Sequence, residues 1–222
     1  SPRTEMLVID ETETTPAGPE TEKPETDLTT GLVAYYPFNG NANDESGNGN
    51  DGEMLDVGTF TQNRFGKDAS ALSLINDDFQ TKFVGLEQYA PTTEKSMFVS
   101  FWATKDLSTP NTAVLAQYID PPHNNTFYIV LTENNLTVTG NGYNSFRGQP
   151  NELSSSEWQH WGILISPGDG NSKVYFNGEF LSSGSLSLNE NDVDTPFHIG
   201  MVNGRKPSNA KGALDDIRIY NR

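Results

Sequence analysis

The sequence predicts an all-β sandwich or barrel, and three observations carry that prediction. From Gly31 to Arg222 short apolar or alternating runs are separated by Gly, Asn, Asp, Ser and Pro, the rhythm of strands joined by turns. Lys173–Leu181 places Asn177-Gly178 between two such runs, and that dipeptide suits a two-residue type I′ hairpin turn. No stretch carries a sustained apolar period of 3.6, so little helix is expected.

Taken in order, residues 1–30 differ from the rest. They are acidic, Thr-rich and punctuated by Pro, which leaves too little apolar surface to offset the entropy of ordering. They read as an extended linker arm, with Met6–Ile9 as its one apolar run and a candidate edge strand. Residues 31–222 read as one β domain. The expected strands are Leu32–Phe38, Ala71–Ile75, Ser96–Ala103, Ala113–Tyr118, Thr126–Leu131, Leu136–Thr139, Trp158–Ile165, Lys173–Phe176, Phe197–Met201 and Ala213–Tyr220. In each, β-branched or aromatic residues alternate with polar ones or form a short apolar block.

The 222 residues carry 14 basic and 30 acidic side chains, a formal charge of −16. That balance repels phosphate backbones and anionic lipid, so neither a nucleic acid nor a membrane surface is an expected partner. No apolar run is long enough to span a bilayer. The chain has no cysteine, which removes disulfides, zinc-thiolate sites and thiol nucleophiles. It starts at Ser1-Pro2 with no Met and no apolar leader, which reads as a mature or truncated chain whose export signal, if any, is missing.

Asp44–Gly52 alternates side-chain oxygens with glycine over one tight turn. Asp44, Ser46, Asn48 and Asn50 stand at alternating positions with Gly49 at the bend, like the first half of an EF-hand loop. The closing Glu of that loop is absent, since Leu55 takes its place. A hard cation bound here, Ca²⁺ by its oxygen ligands, therefore needs a further donor from elsewhere.

The stretch Gly31–Gly52, running through Ala34-Tyr35-Tyr36-Pro37-Phe38-Asn39-Gly40 into that turn, resembles the opening of a bacterial laminin-G-like, concanavalin A-like domain. Ser96–Ala103 resembles the family's central strand. Glu157–Ile165 with Val174–Glu179 resembles its Trp-His strand and Asn-Gly hairpin, and Gly212–Arg222 its closing strand. One family block is only partly kept, as Asn76-Asp77-Asp78 within Leu72–Phe79, and Trp161 stands where a small aliphatic residue is usual. The resemblance implies a jelly-roll sandwich of two antiparallel sheets with first and last strands side by side, often with a structural Ca²⁺ near their junction. Asp215 and Asp216, at the start of the last strand, are then the natural additional ligands. Period two puts Asp215 on the face of Ile217 and Ile219, and a cation would offset the cost of burying its carboxylate.

Such domains serve as lectins, carbohydrate-binding modules, adhesin parts and spacers, so function must be sought in particular residues. Strand tryptophans mostly pack in cores. Of Trp102, Trp158 and Trp161, Trp161 is the expected exception, available to stack on a sugar. His160, between two tryptophans, reads as structural. Tyr118, Tyr143, Arg147, Asn203 and Arg205 lie in or beside loops that mix rings with hydrogen-bonding groups, as a shallow sugar site needs. A glycosidase needs two carboxylates across a cleft, and the Glu-x-Asp-x-x-Glu triplet of the related β-jelly-roll glucanases is absent, as are a Gly-x-Ser-x-Gly elbow and a phosphate-binding glycine loop. The expectation is a non-catalytic, secreted or cell-surface carbohydrate-binding module with a structural Ca²⁺. The alternative is a structural or protein-interaction domain of an adhesin or of an outer-membrane lipoprotein complex, lipid-anchored upstream of Ser1 and meeting a protein partner through residues 1–30.

Overall fold

A computed structural model describes residues 27–54, 59–74, 81–83, 86–106, 108, 111–118, 125–140, 144–188, 196–199 and 211–222. The acidic arm up to residue 26, the expected edge strand Met6–Ile9 and the block Asn76-Asp77-Asp78 lie outside them. Fifteen strands are described: β1 Leu32–Tyr36, β2 Gly52–Met54, β3 Thr59–Thr61, β4 Ala71–Ser73, β5 Thr81–Phe83, β6 Met97–Lys105, β7 Thr112–Tyr118, β8 Asn125–Leu131, β9 Leu136–Gly140, β10 Asn144–Gly148, β11 Gln159–Ile165, β12 Ser172–Phe176, β13 Glu179–Gly184, β14 Phe197–Ile199 and β15 Gly212–Tyr220. Among the described residues the helical content is one 3₁₀ turn, Glu87–Tyr89.

The strands form two antiparallel sheets. The larger runs β13-β12-β11-β6-β15-β4-β3, with β1 also paired to β15, and the smaller runs β10-β9-β8-β7-β14-β5-β2. The sheets face each other across one apolar core. Met97, Val99 and Phe101 of β6, Trp161, Ile163 and Ile165 of β11, and Ile217 and Ile219 of β15 meet Phe127 and Ile129 of β8, Val138 of β9 and Phe197 and Ile199 of β14. Each of these sets recurs at every second residue, so one face of each strand is apolar. This is the expected two-sheet sandwich, and first and last strands are indeed neighbours, with Tyr35 opposite Arg218 and Tyr36 opposite Ile217.

Strand β15 changes partners along one edge. Ala213 and Leu214 pair with β4, and Ile217 to Tyr220 pair with β1, while β6 runs along the other edge. The changeover is a bulge between Asp215 and Arg218, with Asp216 in the left-handed region at φ 51°. Aspartate tolerates that conformation better than most residues. The bulge re-aims two carboxylates at one place on the outer face of the sheet.

The hairpin joining β12 to β13 turns at Asn177 (φ 49°) and Gly178 (φ 87°), the positive pair that a type I′ turn requires. Its tip is tied back to β11: the Asn177 N–H donates to the His160 carbonyl at 2.8 Å, and the His160 N–H donates to Asn177 Oδ1 at 2.9 Å.

Candidate functional site

The side chains that alternate with the core set point outward from the larger sheet. Across β15, β6, β11 and β12 they form rows: Asp215, Trp102 and His160, then Arg218, Ser100, Gly162 and Tyr175, then Tyr220, Phe98, Leu164 and Lys173. The middle row has the small residues Ser100 and Gly162 between large neighbours. A hollow of about 420 Å³ opens there, lined by Phe98, His160, Gly162, Leu164, Tyr175 and Gly178, with Arg222 at its edge. Gly162 is needed for that shape, because a Cβ would sit 3.0 Å from Phe98 Cζ and 3.6 Å from Tyr175 Cβ.

The walls are aromatic. Trp102 and His160 rings lie 5.1 Å apart, Phe98 and Tyr220 6.0 Å, and Tyr175 meets Phe180 edge-on at 6.0 Å. Phe180 is 58 % exposed. His160 is pushed below the ordinary imidazole range by burial and then by the nearby Arg218 and Arg64, so it stays neutral near pH 7 and offers both a donor and an acceptor.

Beside the groove the β15 bulge is neutralised from within the protein. Arg64, in the β3–β4 connection, gives Nη1 to Asp215 at 2.7 Å and Nη2 to Asp216 at 2.5 Å. Its guanidinium lies 4.4 Å from the Phe65 ring centroid and 5.0 Å from that of Trp102. The Tyr35 hydroxyl donates to Asp216 Oδ1 at 2.5 Å, and Arg218 approaches the same oxygen at 3.5 Å. Asp215 is pushed up to about 6 by burial and by the charge on Asp216, against the pull of Arg64. Burial, then Asp216, push the Tyr35 phenol up, so it remains a donor.

The six residues expected to share a Ca²⁺ are engaged by protein partners, the four of the turn among themselves and with β1 and the two aspartates with Arg64. Asp44 Oδ1 accepts the N–H groups of Tyr35 and Ser46, and Oδ2 accepts the Asn50 N–H and the Ser46 hydroxyl. Four donors fill both oxygens, and they hold Asp44 below the usual carboxylate range although burial pushes the other way. Asn48 and Asn50 turn their amide N–H groups onto the carbonyls of Leu32 and Val33. Asp215 is buried, but on the outer face beside Trp102 rather than on the inward face of Ile217 and Ile219, because the bulge shifts its register, and its counter-charge is Arg64. Among the described residues no three His, Cys, Asp or Glu side chains gather where they could hold a metal. The donor set present fits a hydrogen-bonded loop and a guanidinium clamp better than a cation shared between turn and closing strand.

The expected sugar contacts divide. Trp161 is 1 % exposed, packed on Phe176 at 4.7 Å and opposite Phe101. Its ring has no face free for a sugar, which corrects the expectation that singled it out, because it shares the parity of Ile163 and Ile165. Trp102, set aside as core, lies on the outer face, opposite His160. Arg147 is exposed on β10, in the other sheet and away from the groove. The side chain of Tyr118, and Tyr143, Asn203 and Arg205 altogether, lie outside the described residues. Sequence reasoning missed Phe98, Gly162, Leu164, Tyr175, Gly178 and Arg222 as a group and read His160 as structural only. The signal available was parity: each of the strand residues among them is out of phase with the core set.

Comparison with known proteins gives the same architecture. The family model of the concanavalin A-like lectin/glucanases superfamily, Laminin_G_3, matches residues 76–222. No curated protein matches the chain. Domain 4 of AbnA, a GH43 extracellular arabinanase from Geobacillus stearothermophilus solved in complex with arabinotriose, is similar at 25% identity and TM-score 0.62, over 86% of this chain and 92% of that one. The binding domain of Paraclostridial Mosquitocidal Protein 1 is similar at 19% identity and TM-score 0.68, over 88% of this chain and 50% of that one. The binding domain of botulinum neurotoxin serotype D is similar at 18% identity and TM-score 0.65, over 87% and 48%. The chain thus spans about half the length of these toxin domains, and at such identity they speak for the fold alone.

Proposed function

We propose, from the premise that this chain belongs to the Laminin_G_3 family of the concanavalin A-like lectin/glucanases superfamily, that it is a non-catalytic carbohydrate-binding module whose sugar site is the groove on the outer face of the larger sheet. The observation that carries the reading is the groove itself: Phe98, Tyr175 and His160 around the bare backbone of Gly162, in a hollow of about 420 Å³. Sugar rings present apolar C–H faces to aromatic side chains and hydroxyls to polar ones, and this lining offers both. The volume is within the range of about 300–1,000 Å³ usual for small-ligand sites. Among the described residues that line the groove there is no Asp or Glu, whereas glycoside hydrolysis requires a pair of carboxylates flanking the bond. The arabinanase domain solved with arabinotriose supports a saccharide as the ligand class, on a chain of comparable length.

The test is affinity electrophoresis against neutral and acidic polysaccharides, arabinan included, with Tyr175→Ala as the variant. Retardation by at least one polysaccharide, weakened about tenfold by Tyr175→Ala with an unchanged melting temperature, is the expected result. Binding that ignores the variant would move the site elsewhere, and no binding to any glycan would end the reading.

A protein partner on the same face is the second reading, favoured by the exposed rings of Phe65 at 77 % and Phe180 at 58 %. Aromatic anchors of that kind dominate protein interfaces. Under this reading the domain belongs to a surface adhesin or a lipid-anchored complex, and Phe65→Ser abolishes co-purification of the partner while leaving glycan retardation untouched.

A further inference from the structure

Arg222 joins two hollows. It edges the aromatic groove and also helps to line a second hollow of about 490 Å³ with Gln88, Tyr89, Lys95 and Ser96. The residue is held in place. The Asn221 N–H donates to the Gly31 carbonyl at 3.0 Å, the Arg222 stem passes over Gly31, where a Cβ would lie 3.6 Å from its Cδ, and its guanidinium lies 4.7 Å from the Tyr220 ring centroid. Tyr220 is itself anchored by donating to the Leu28 carbonyl at 3.2 Å. A guanidinium held over a ring but not ion-paired has N–H donors left to offer, and its fork matches a carboxylate in two parallel hydrogen bonds. Arg64 and Arg218, by contrast, are already spent on Asp215 and Asp216. Among the described residues Arg222 forms no ion pair.

We propose that the glycan bound here carries an isolated carboxylate, as a uronic acid does, seated against Arg222 within an otherwise neutral chain that runs from the aromatic groove into the second hollow. The inference rests on the carbohydrate reading above and adds the substrate class. Two charge facts set its limits. Among the described residues the aromatic groove has no acidic lining residue, so a single carboxylate meets no adjacent like charge from them. The second hollow carries Glu94 beside Lys95, and the chain as a whole bears −16, so a run of consecutive carboxylates is disfavoured. An isolated charge among neutral sugars satisfies both.

Matched pairs of polymers test it: glucuronoxylan against the same xylan with its uronic acids reduced, and polygalacturonate as the densely charged arm. Titrations are made on the whole chain and on Arg222→Gln and Arg222→Lys. The expected result is at least about fivefold tighter binding of the uronic-acid-bearing member than of its reduced partner, a charge-assisted pair at a partly exposed site. Arg222→Gln should equalise the pair, Arg222→Lys should fall between, and polygalacturonate should bind no better than the reduced xylan. Equal binding of both members by the unaltered chain, or a preference that survives Arg222→Gln, overturns the inference while leaving a neutral-sugar module standing. Binding to no member of this or the wider glycan panel overturns the carbohydrate reading, and this inference with it.

Discussion

Arg64 decides whether the closing strand can bury two adjacent carboxylates. Its two N–H ends hold Asp215 and Asp216, and removing one partner of a buried pair costs about 3–5 kcal/mol because the other charge is stranded. Arg64→Gln should therefore destabilise the chain by about 3 kcal/mol at pH 7 in urea unfolding, and by less at pH 4.5. The pH dependence follows from Asp215, which is pushed up to about 6 from 3.8 by burial and by Asp216. Between those values the folded chain keeps a proton that the unfolded chain has released, so this group makes stability fall as pH rises from about 4 to 6. Asp215→Asn should gain on the unaltered chain across that window, by on the order of 1–3 kcal/mol. Melting curves of the two that stay parallel from pH 4 to 7 would show that Asp215 does not titrate in this way. Residue types in the sequence told that Asp215 needed a counter-charge, but not which one. Arg64 lies 151 positions away along the chain, and no periodicity or spacing links it to the bulge. Trp161 shows the opposite case, where the parity of Ile163 and Ile165 already placed its ring inside.

At the scale of elements, the long strands were legible, and of the three-residue ones only β4 and β14, which fall within the expected Ala71–Ile75 and Phe197–Met201, were read. Strands β6, β11 and β15 span seven to nine residues, long enough for an alternating pattern to declare itself. Strands β2, β3 and β5 have three residues each, too few for any period, and β10 carries Phe146 as its one large apolar side chain. The Asn177-Gly178 hairpin was readable from its turn chemistry, and its role in closing one end of the groove was not, because that depends on the tie to His160. Two glycine variants separate the element's fold from the site's shape. At Gly178 a Cβ meets nothing within 4 Å and only the φ of +87° is strained, so Gly178→Ala should cost about 1 kcal/mol by urea unfolding. Gly162→Val places branches against Phe98 and Tyr175 on the open face, so it should leave the melting temperature within a few degrees and reduce glycan binding at least tenfold. Full binding by Gly162→Val would mean that the ligand does not enter the groove.

For the whole molecule, the two-sheet sandwich and the pairing of first and last strands followed from turn rhythm and from the resemblance of the terminal blocks. The outer-face groove did not, since it needs four strands, β15, β6, β11 and β12, set side by side in an order that sequence alone does not reveal. The same sheet order explains how the chain ends can be joined without an ion. Tyr35 on β1 receives its backbone order from Asp44 and gives its hydroxyl to Asp216, so turn and closing strand communicate through one side chain. Millimolar Ca²⁺ after exhaustive chelation should then leave the melting temperature unchanged, whereas an ion bound at 100 times its Kd would add about 2.7 kcal/mol. The central claim remains the placing of the sugar, and chemical-shift mapping of the ¹⁵N-labelled chain during titration with the oligosaccharide that retards it most tests it directly. The account predicts that the largest shifts fall on the amides of Phe98, Gly162, Tyr175 and Gly178; shifts confined to the smaller sheet around Arg147, with those four unmoved, would contradict it.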